Sequence, residues 1–276
     1  MSATSWARSP RACWTATRTW SSPARAAWWR ASFWFSSSTV NNFTAIGYYT
    51  PQFFGFDAGI SYGANEGSFN GICGAGGATF TGCDRASSST TDAGRLRNIV
   101  DAMLRYRGTF GPVGIAVSGG IRTAGTVDDP TGAVDYKSPL VGIGGIQVSF
   151  AGLTVGGNIY GGSANRGFAA LQKVGGGGEN GMFGWQLGAR YTIGAITVGA
   201  AYHELRSEGS QAIAANQRDR GFGIGGSYAL APGLALFAEY LWSKVSESGR
   251  DFNSFDAGTQ DSFKAQVGLL GVSIVW

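Results

Sequence analysis

Hydrophobic and polar positions alternate along most of the chain after residue 40. Within residues 182–193, for example, Phe183 and Leu187 share one face, while Gln186 and Arg190 share the other. Successive side chains of a strand point to opposite faces, so this period of two predicts a strand between an apolar and a polar medium. The same alternation predicts strands over residues 99–110, 196–204 and 234–244.

The connections between the predicted strands alternate between short and long. The short ones contain turn-forming residues and cover residues 51–53, 111–112, 151–152, 194–195 and 231–233. The long ones are polar and rich in glycine, and cover about residues 63–98, 124–138, 162–181, 205–218 and 245–261. Membrane barrels of the outer-membrane type have short turns at one end and long loops at the other. The pattern therefore predicts an all-β, transmembrane antiparallel β-barrel with about eleven strands.

Aromatic residues recur where the predicted strands meet the short turns. In a membrane barrel, such rings lie at the level of the lipid headgroups. A soluble β-sandwich that caps its core with aromatic rings is the alternative. The residues are Phe54, Phe56, Phe110, Phe150, Tyr191 and Tyr228.

The last predicted strand shows a break in its alternation. Leu270 and Val272 share one parity, but Phe263 and Val267 have the opposite one. We expect either a β-bulge between the two halves or a wrongly assigned strand.

Composition narrows the functional classes. The chain has 46 glycines, which disfavour helices, and 14% charged residues, well below the share usual in soluble domains. No apolar run is long enough for a membrane-spanning helix. The single histidine, His203, excludes a zinc site with several histidines, and no cofactor or metal is predicted.

Residues 1–40 differ from the rest of the chain. They contain five arginines and six of the nine tryptophans, but no Gly, Lys, Asp or Glu. Residues 41–276 carry 16 basic and 17 acidic side chains, so the net charge of +4 comes from residues 1–40. The basic charge of the whole chain therefore does not indicate a nucleic-acid partner, and we predict none. No recognisable signal peptide is present. We predict a non-native or disordered segment over 1–40 and a barrel domain over 41–276.

Two stretches resemble the general porins of proteobacteria. Residues 41–56 read NNFTAIGYYTPQFFGF, with a strand followed by Thr-Pro, aromatics and Gly-Phe, and residues 268–276 read GLLGVSIVW and end on an aromatic. The resemblance implies a 16-stranded barrel of the outer membrane, of which the eleven strands are the sixth to the sixteenth. The chain then looks like an N-terminally truncated or frame-disrupted porin, with exposed edges on its first and last strands.

The resemblance also implies a function and partners. A porin passes small hydrophilic solutes and ions through a water-filled lumen by passive diffusion, without enzymatic chemistry. It lies among outer-membrane lipid and lipopolysaccharide, and a complete barrel forms a homotrimer. The alternatives are a barrel enzyme or adhesin of the same membrane, or a soluble β-sandwich binding protein.

Charged residues of the face opposite the apolar one are the candidate pore lining. Arginines there favour anions, because a charged wall raises the local concentration of counter-ions, and carboxylates partly offset them. We predict a slight anion selectivity. The candidates are Arg105, Arg107, Arg122, Arg190, Asp57, Asp101 and Glu239.

Three other features have simpler interpretations. Cys73 and Cys83 lie in one long connection and are candidates for a disulfide, which is permitted beyond the inner membrane. Residues 176–181 match GxGxxG, but they precede a strand and lack the strand-to-helix context of a dinucleotide site. His203 is expected to be a lumen or rim residue; an enzyme would need it on the outward rim beside a serine.

Overall fold

The structure is a computed structural model that describes residues 45–65, 96–126, 138–163, 181–207, 215–249 and 261–274. These residues form eleven antiparallel strands in one sheet, whose spatial order is the order of the chain. The prediction of about eleven antiparallel strands is confirmed. The strands are β1 Ala45–Tyr49, β2 Phe56–Asn65, β3 Leu96–Phe110, β4 Val113–Thr126, β5 Leu140–Phe150, β6 Leu153–Ser163, β7 Gly181–Ile193, β8 Ile196–Ser207, β9 Gln217–Ala231, β10 Leu234–Glu247 and β11 Ser262–Ile274.

The described ranges contain no helix that is long and apolar enough to cross a membrane.

Tight turns join the strands at one end of the sheet, which we call the short-turn end. Between β5 and β6, Ala151 and Gly152 have φ angles of 46° and 82°. Two successive positive φ angles suit the twist of a hairpin with a two-residue loop. A side chain at Gly152 would also collide with the carbonyl oxygen of Thr192, so glycine is required there on two grounds. The opposite end of the sheet, where the long connections lie, is called the long-connection end.

One face of the sheet, called the outward face, is apolar and exposed. Leu187 has 55% of its surface exposed, and it lies directly between Gly157 of β6 and Tyr202 of β8. The same face presents exposed aliphatic side chains from β2 to β11, which suits contact with lipid. They include Ile60, Leu104, Ile121, Ile146, Ile159, Val198, Ile224, Leu236 and Val272.

The predicted aromatic positions are exposed near the short turns. Phe54 lies in the β1–β2 turn, and the other five continue the outward rows of their strands. Rings at this height can contact both hydrocarbon and headgroups. The exposed set is Phe54, Phe56, Phe110, Phe150, Tyr191 and Tyr228.

The buried apolar residues lie on the opposite, inner face, close to the long-connection end. Tyr160 of β6 is 3% exposed and lies directly opposite Gly184 of β7. The absence of a side chain at Gly184 leaves the space that the Tyr160 ring occupies. Buried on this face are Leu96, Ile99, Ala124, Val141, Tyr160, Met182 and Leu205.

Strand β11 differs from the prediction. It pairs with β10 from Ser262 to Ile274 without a register shift, so the expected bulge or wrong strand assignment was wrong. Phe263 and Val267 lie on the inner face, directly opposite Val245 and Leu241 of β10. Cross-strand apolar pairs stabilise a sheet, so this part of the inner face accepts hydrophobic residues.

Strands β1 and β11 are the two ends of the sheet. Within the described ranges each pairs with one neighbour, β2 and β10 respectively, and therefore presents one edge.

A charge on the outward face should be costly. We expect Leu187→Arg to lower the free energy of unfolding by about 2–4 kcal/mol, because the guanidinium would enter hydrocarbon. Gln186→Arg is the matched control, since it adds the same group one residue away on the inner face. Urea unfolding in lipid vesicles, followed by tryptophan fluorescence, measures both. Equal losses for the two variants would contradict the assignment of the faces.

The packing of Tyr160 over Gly184 gives a second prediction. A Cβ at position 184 would overlap the Tyr160 ring, so Gly184→Ala should cost about 1–3 kcal/mol of unfolding free energy. Gly144→Ala is the control, because the nearest atom to its new Cβ would be 3.9 Å away. The same unfolding assay should show little change for the control. A Gly184→Ala protein as stable as the control would refute the close packing.

Candidate pore lining

All seven candidate pore residues lie on the inner face. Alternate residues of a strand share one face, and the pairing of the stretches that contain these residues aligns them across strands. The structure gathers five of the seven into two ion-paired groups and places Arg190 and Glu239 elsewhere.

The first group lies near the short-turn end. Asp57 of β2 is directly opposite Arg105 of β3, and the Arg105 Nη2 to Asp57 Oδ1 distance is 2.9 Å. Arg107 also donates to Asp57, with an Nη2 to Oδ2 distance of 2.8 Å, and to Gln52 Oε1 at 3.1 Å. One carboxylate thus holds two guanidinium groups, and the Arg107 side chain stays 41% exposed. The group retains a net charge of +1.

The second group lies nearer the long-connection end. Asp101 of β3 faces Arg122 of β4 in the register, and Arg122 Nη2 donates to Asp101 Oδ2 over 2.9 Å. Ser61 Oγ adds a hydrogen bond of 3.3 Å to the same oxygen. Both charged side chains are buried, at 3% and 7% exposure. This pair is electrically neutral, so it stabilises the wall without adding net charge.

Arg190 and Glu239 come from strands farther along the sheet. Arg190 of β7 is half-buried and lies between Thr154 and Gly199 in the register. Glu239 of β10 is 6% exposed and lies between Gly225 and Leu269. A Cβ at Gly225 would approach the Glu239 Cγ to 2.8 Å, so the glycine makes room for the carboxylate.

Two further carboxylates, Asp219 and Glu247, lie on the inner face but were not among the predicted pore residues. Both fall in regions assigned to long connections or their margins, but β9 begins at Gln217 and β10 runs to Glu247. The Asp219 Oδ1 atom lies 3.6 Å from His203 Nε2. Asp219, Glu247 and His203 are all buried. The sequence contained one signal that both residues face inward. Asp219 has the same parity as Gly225 in β9, and Glu247 has the same parity as Glu239 in β10.

The inner charges are distributed unevenly along the strands. Three arginines, Arg105, Arg107 and Arg190, and one carboxylate, Asp57, lie near the short-turn end. We call these four residues the short-turn zone; their net charge is +2. Towards the other end lie Asp219 and Glu247, with Glu239 between. The inner face of the described strands therefore carries four arginines and five carboxylates, a net of −1 with neutral His203.

Of the other residues considered from the sequence, the structure describes His203 but not the two cysteines. His203 lies on the inner face, which does not fit the outward-rim histidine that an enzyme of this membrane would need. In the part of the chain that the structure describes, no three His, Cys, Asp or Glu side chains cluster as metal ligands. Cys73, Cys83, residues 1–40 and most of 176–181 lie outside the described residues, so the predictions about them stay predictions.

Comparison with solved structures returns outer-membrane porins and related outer-membrane proteins at low identity. The anion-selective porin from Comamonas acidovorans is 17% identical, with a TM-score of 0.46, over 85% of this chain and 60% of its own. OccK9 of Pseudomonas aeruginosa is 13% identical, with a TM-score of 0.48, over 84% of this chain and 67% of its own. The chain thus spans about 60% of the length of the Comamonas protein. No curated protein matches the sequence significantly.

The chain also matches a model of the Gram-negative porin family, over residues 17–248. The match begins inside the segment 1–40, and the boundary of that segment stays a prediction. Because the match covers most of the sequence, the chain belongs to the Gram-negative porin family and its place is the outer membrane.

Proposed function

We propose that this chain forms the wall of a water-filled channel, through which small hydrophilic solutes and ions cross the outer membrane by passive diffusion. The observation that carries the proposal is the segregation of the two faces. Exposed aliphatic and aromatic side chains occupy most of the outward face, while four arginines and five carboxylates of the described strands lie on the inner face. The charged residues of the outward face, such as Glu204 and Arg220, lie towards the long-connection end. A hydrated lumen on the inner side supplies the solvation that the inner charges need.

The short-turn zone supports a slight anion preference. Three guanidinium groups and one carboxylate at one end of the wall raise the local concentration of anions. The five carboxylates of the whole inner face oppose this effect, so the preference depends on where the permeation path is narrowest. We assign that influence to Arg105 and Arg107, because the Arg107 side chain is 41% exposed.

The partners follow from the same proposal. The apolar outward face suits outer-membrane lipid and lipopolysaccharide, and a barrel with its full set of strands assembles as a homotrimer, as the resemblance to general porins implies. Enzymatic activity is not part of the proposal, since diffusion requires no bond to be made or broken.

Conductance tests the channel directly. Purified protein refolded into planar bilayers should give discrete, ohmic conductance steps that increase with salt concentration. Refolded protein that enters the bilayer and stays silent would defeat the proposal.

Charge reversal tests the anion preference. Arg105→Glu/Arg107→Glu changes the inner-face sum from −1 to −5, so the anion-to-cation permeability ratio should fall on the order of several-fold. The effect should weaken in high salt, because mobile ions screen the wall. The measurement is the reversal potential under a salt gradient.

The matched control for that measurement keeps the charge. Arg105→Lys/Arg107→Lys should leave the reversal potential close to that of the parent protein. If the glutamate variant also keeps the parent value, these arginines do not set the selectivity.

A further inference from the structure

The inner face of β10 and β11 carries a band of apolar side chains that a purely hydrophilic channel wall does not explain. We call this band the apolar stripe; its members are Phe237, Leu241, Val245, Phe263, Ala265, Val267 and Leu269. Phe263, Val267 and Leu269 are 54%, 44% and 38% exposed. Contiguous exposed apolar side chains mark binding surfaces, so the stripe is a candidate contact for the apolar part of a ligand.

Glu239 is the one charged side chain among the inward positions of residues 237–245 and 263–271. It lies two residues before Leu241 on β10 and directly opposite Leu269 of β11. Its neighbour on the other side is Gly225 of β9, which contributes only backbone. The carboxylate is therefore surrounded in the sheet mainly by hydrocarbon.

The Glu239 carboxylate has no hydrogen-bond partner in the described part of the chain. Both of its oxygens are buried and accept no hydrogen bond, and the residue is 6% exposed. Asp57 and Asp101 differ, because each is paired with at least one arginine. Burial of an ionised carboxylate without a partner is unfavourable. A cationic group from outside the chain would therefore stabilise Glu239.

The inner arginine in the same cross-strand row does not supply that cation. Arg190 of β7 is aligned with Glu239 through Gly199 and Gly225. Neighbouring strands are about 4.8 Å apart, so the Cα atoms of Arg190 and Glu239 are about 14 Å apart.

The Glu239 side chain can turn from the sheet towards the lumen. It leans over Gly225, where a Cβ would approach the Glu239 Cγ to 2.8 Å. A glutamate has three side-chain torsions, and a rotation away from Gly225 brings the oxygens to a solute in the lumen. The hydrogen bonds gained with a cation favour that rotation.

We propose that Glu239 and the apolar stripe form a binding site for organic ammonium ions. Glu239 accepts hydrogen bonds from the ammonium group, and the hydrocarbon chain lies along Leu241, Val267 and Leu269. A primary ammonium carries three donors and matches a single carboxylate. A metal ion fits less well, because no three His, Cys, Asp or Glu side chains cluster as ligands in the described ranges. The inference rests on the proposed function and deepens it, since it names a class of solute that the wall retains.

Titration calorimetry of the detergent-folded protein with n-hexylammonium tests the site, with the heat of partition into protein-free micelles subtracted. Glu239→Gln should weaken binding by about tenfold or more, because a neutral amide replaces the charged acceptor. The parent should bind hexylammonium about fourfold more tightly than butylammonium, since two further methylenes become half-buried on the stripe. n-Hexanol has the same chain without the charge, and should bind equally weakly to the parent and to Glu239→Gln.

Two further variants separate the position of the charge from the apolar contact. Glu247→Gln makes the same change in the same inner row of β10, about 27 Å from Glu239, and should bind hexylammonium within about twofold of the parent. Leu269→Ser keeps the carboxylate and should weaken hexylammonium about fourfold, but leave methylammonium unchanged. Heat-modifiable gel mobility verifies folding, which Glu239→Gln should retain because the glutamine has the same shape and no hydrogen bond is lost.

Several outcomes would overturn the inference. They are unchanged hexylammonium binding by Glu239→Gln, an equal loss in Glu247→Gln, hexanol binding as tight as that of hexylammonium, or hexylammonium binding no tighter than that of methylammonium. The titration requires no ion flow, so it is independent of the conductance test. A parent protein that never conducts would defeat the proposed function. A parent protein that conducts, but binds hexylammonium no better than Glu239→Gln does, would defeat this inference alone.

Discussion

The hydrogen bonding of the backbone across neighbouring strands is the constraint on which the rest of the structure depends. In hydrocarbon, no water satisfies an N–H or C=O group, so each strand that crosses a membrane must pair with a neighbour. Here that pairing runs from β1 to β11 in chain order. Once the register is fixed, every side chain is committed to one face. The apolar outward face and the charged inner face both follow from this commitment.

Charge compensation follows the same geometry. Strand pairing brings Asp57 to Arg105 and Asp101 to Arg122, and each pair reduces the net charge of the wall. Pairing also places Arg220 between Lys244 and Glu204 on the outward face. One register therefore gives the inner face a net charge of −1 and brings cations together at the long-connection end of the outward face. These cations are Arg206, Arg218, Arg220, Lys244 and Lys264. Under the proposed function, the inner face meets water with mobile ions, and the outward face meets lipid.

Breaks in simple alternation show where other forces act. In β11, Phe263 and Val267 lie on the inner face beside apolar partners from β10. Alternation reports on the medium that a face meets, but Phe263 and Val267 are exposed on the inner face, so this face also carries apolar side chains. A rule that assigned faces by polarity alone predicted a bulge there, whereas the continuous ladder of hydrogen bonds with β10 preserved the register.

The sequence by itself determined the strand number, the short turns and the faces of all seven candidate pore residues, because a period of two is a local property of the chain. It also placed the exposed aromatic positions near those turns. The tertiary structure decided what depends on neighbours: which charges pair, that Asp219 and Glu247 extend the inner rows, and that cations from four strands meet at one rim. Those features depend on the register between strands, and the residues of one strand carry no record of which partners lie opposite them.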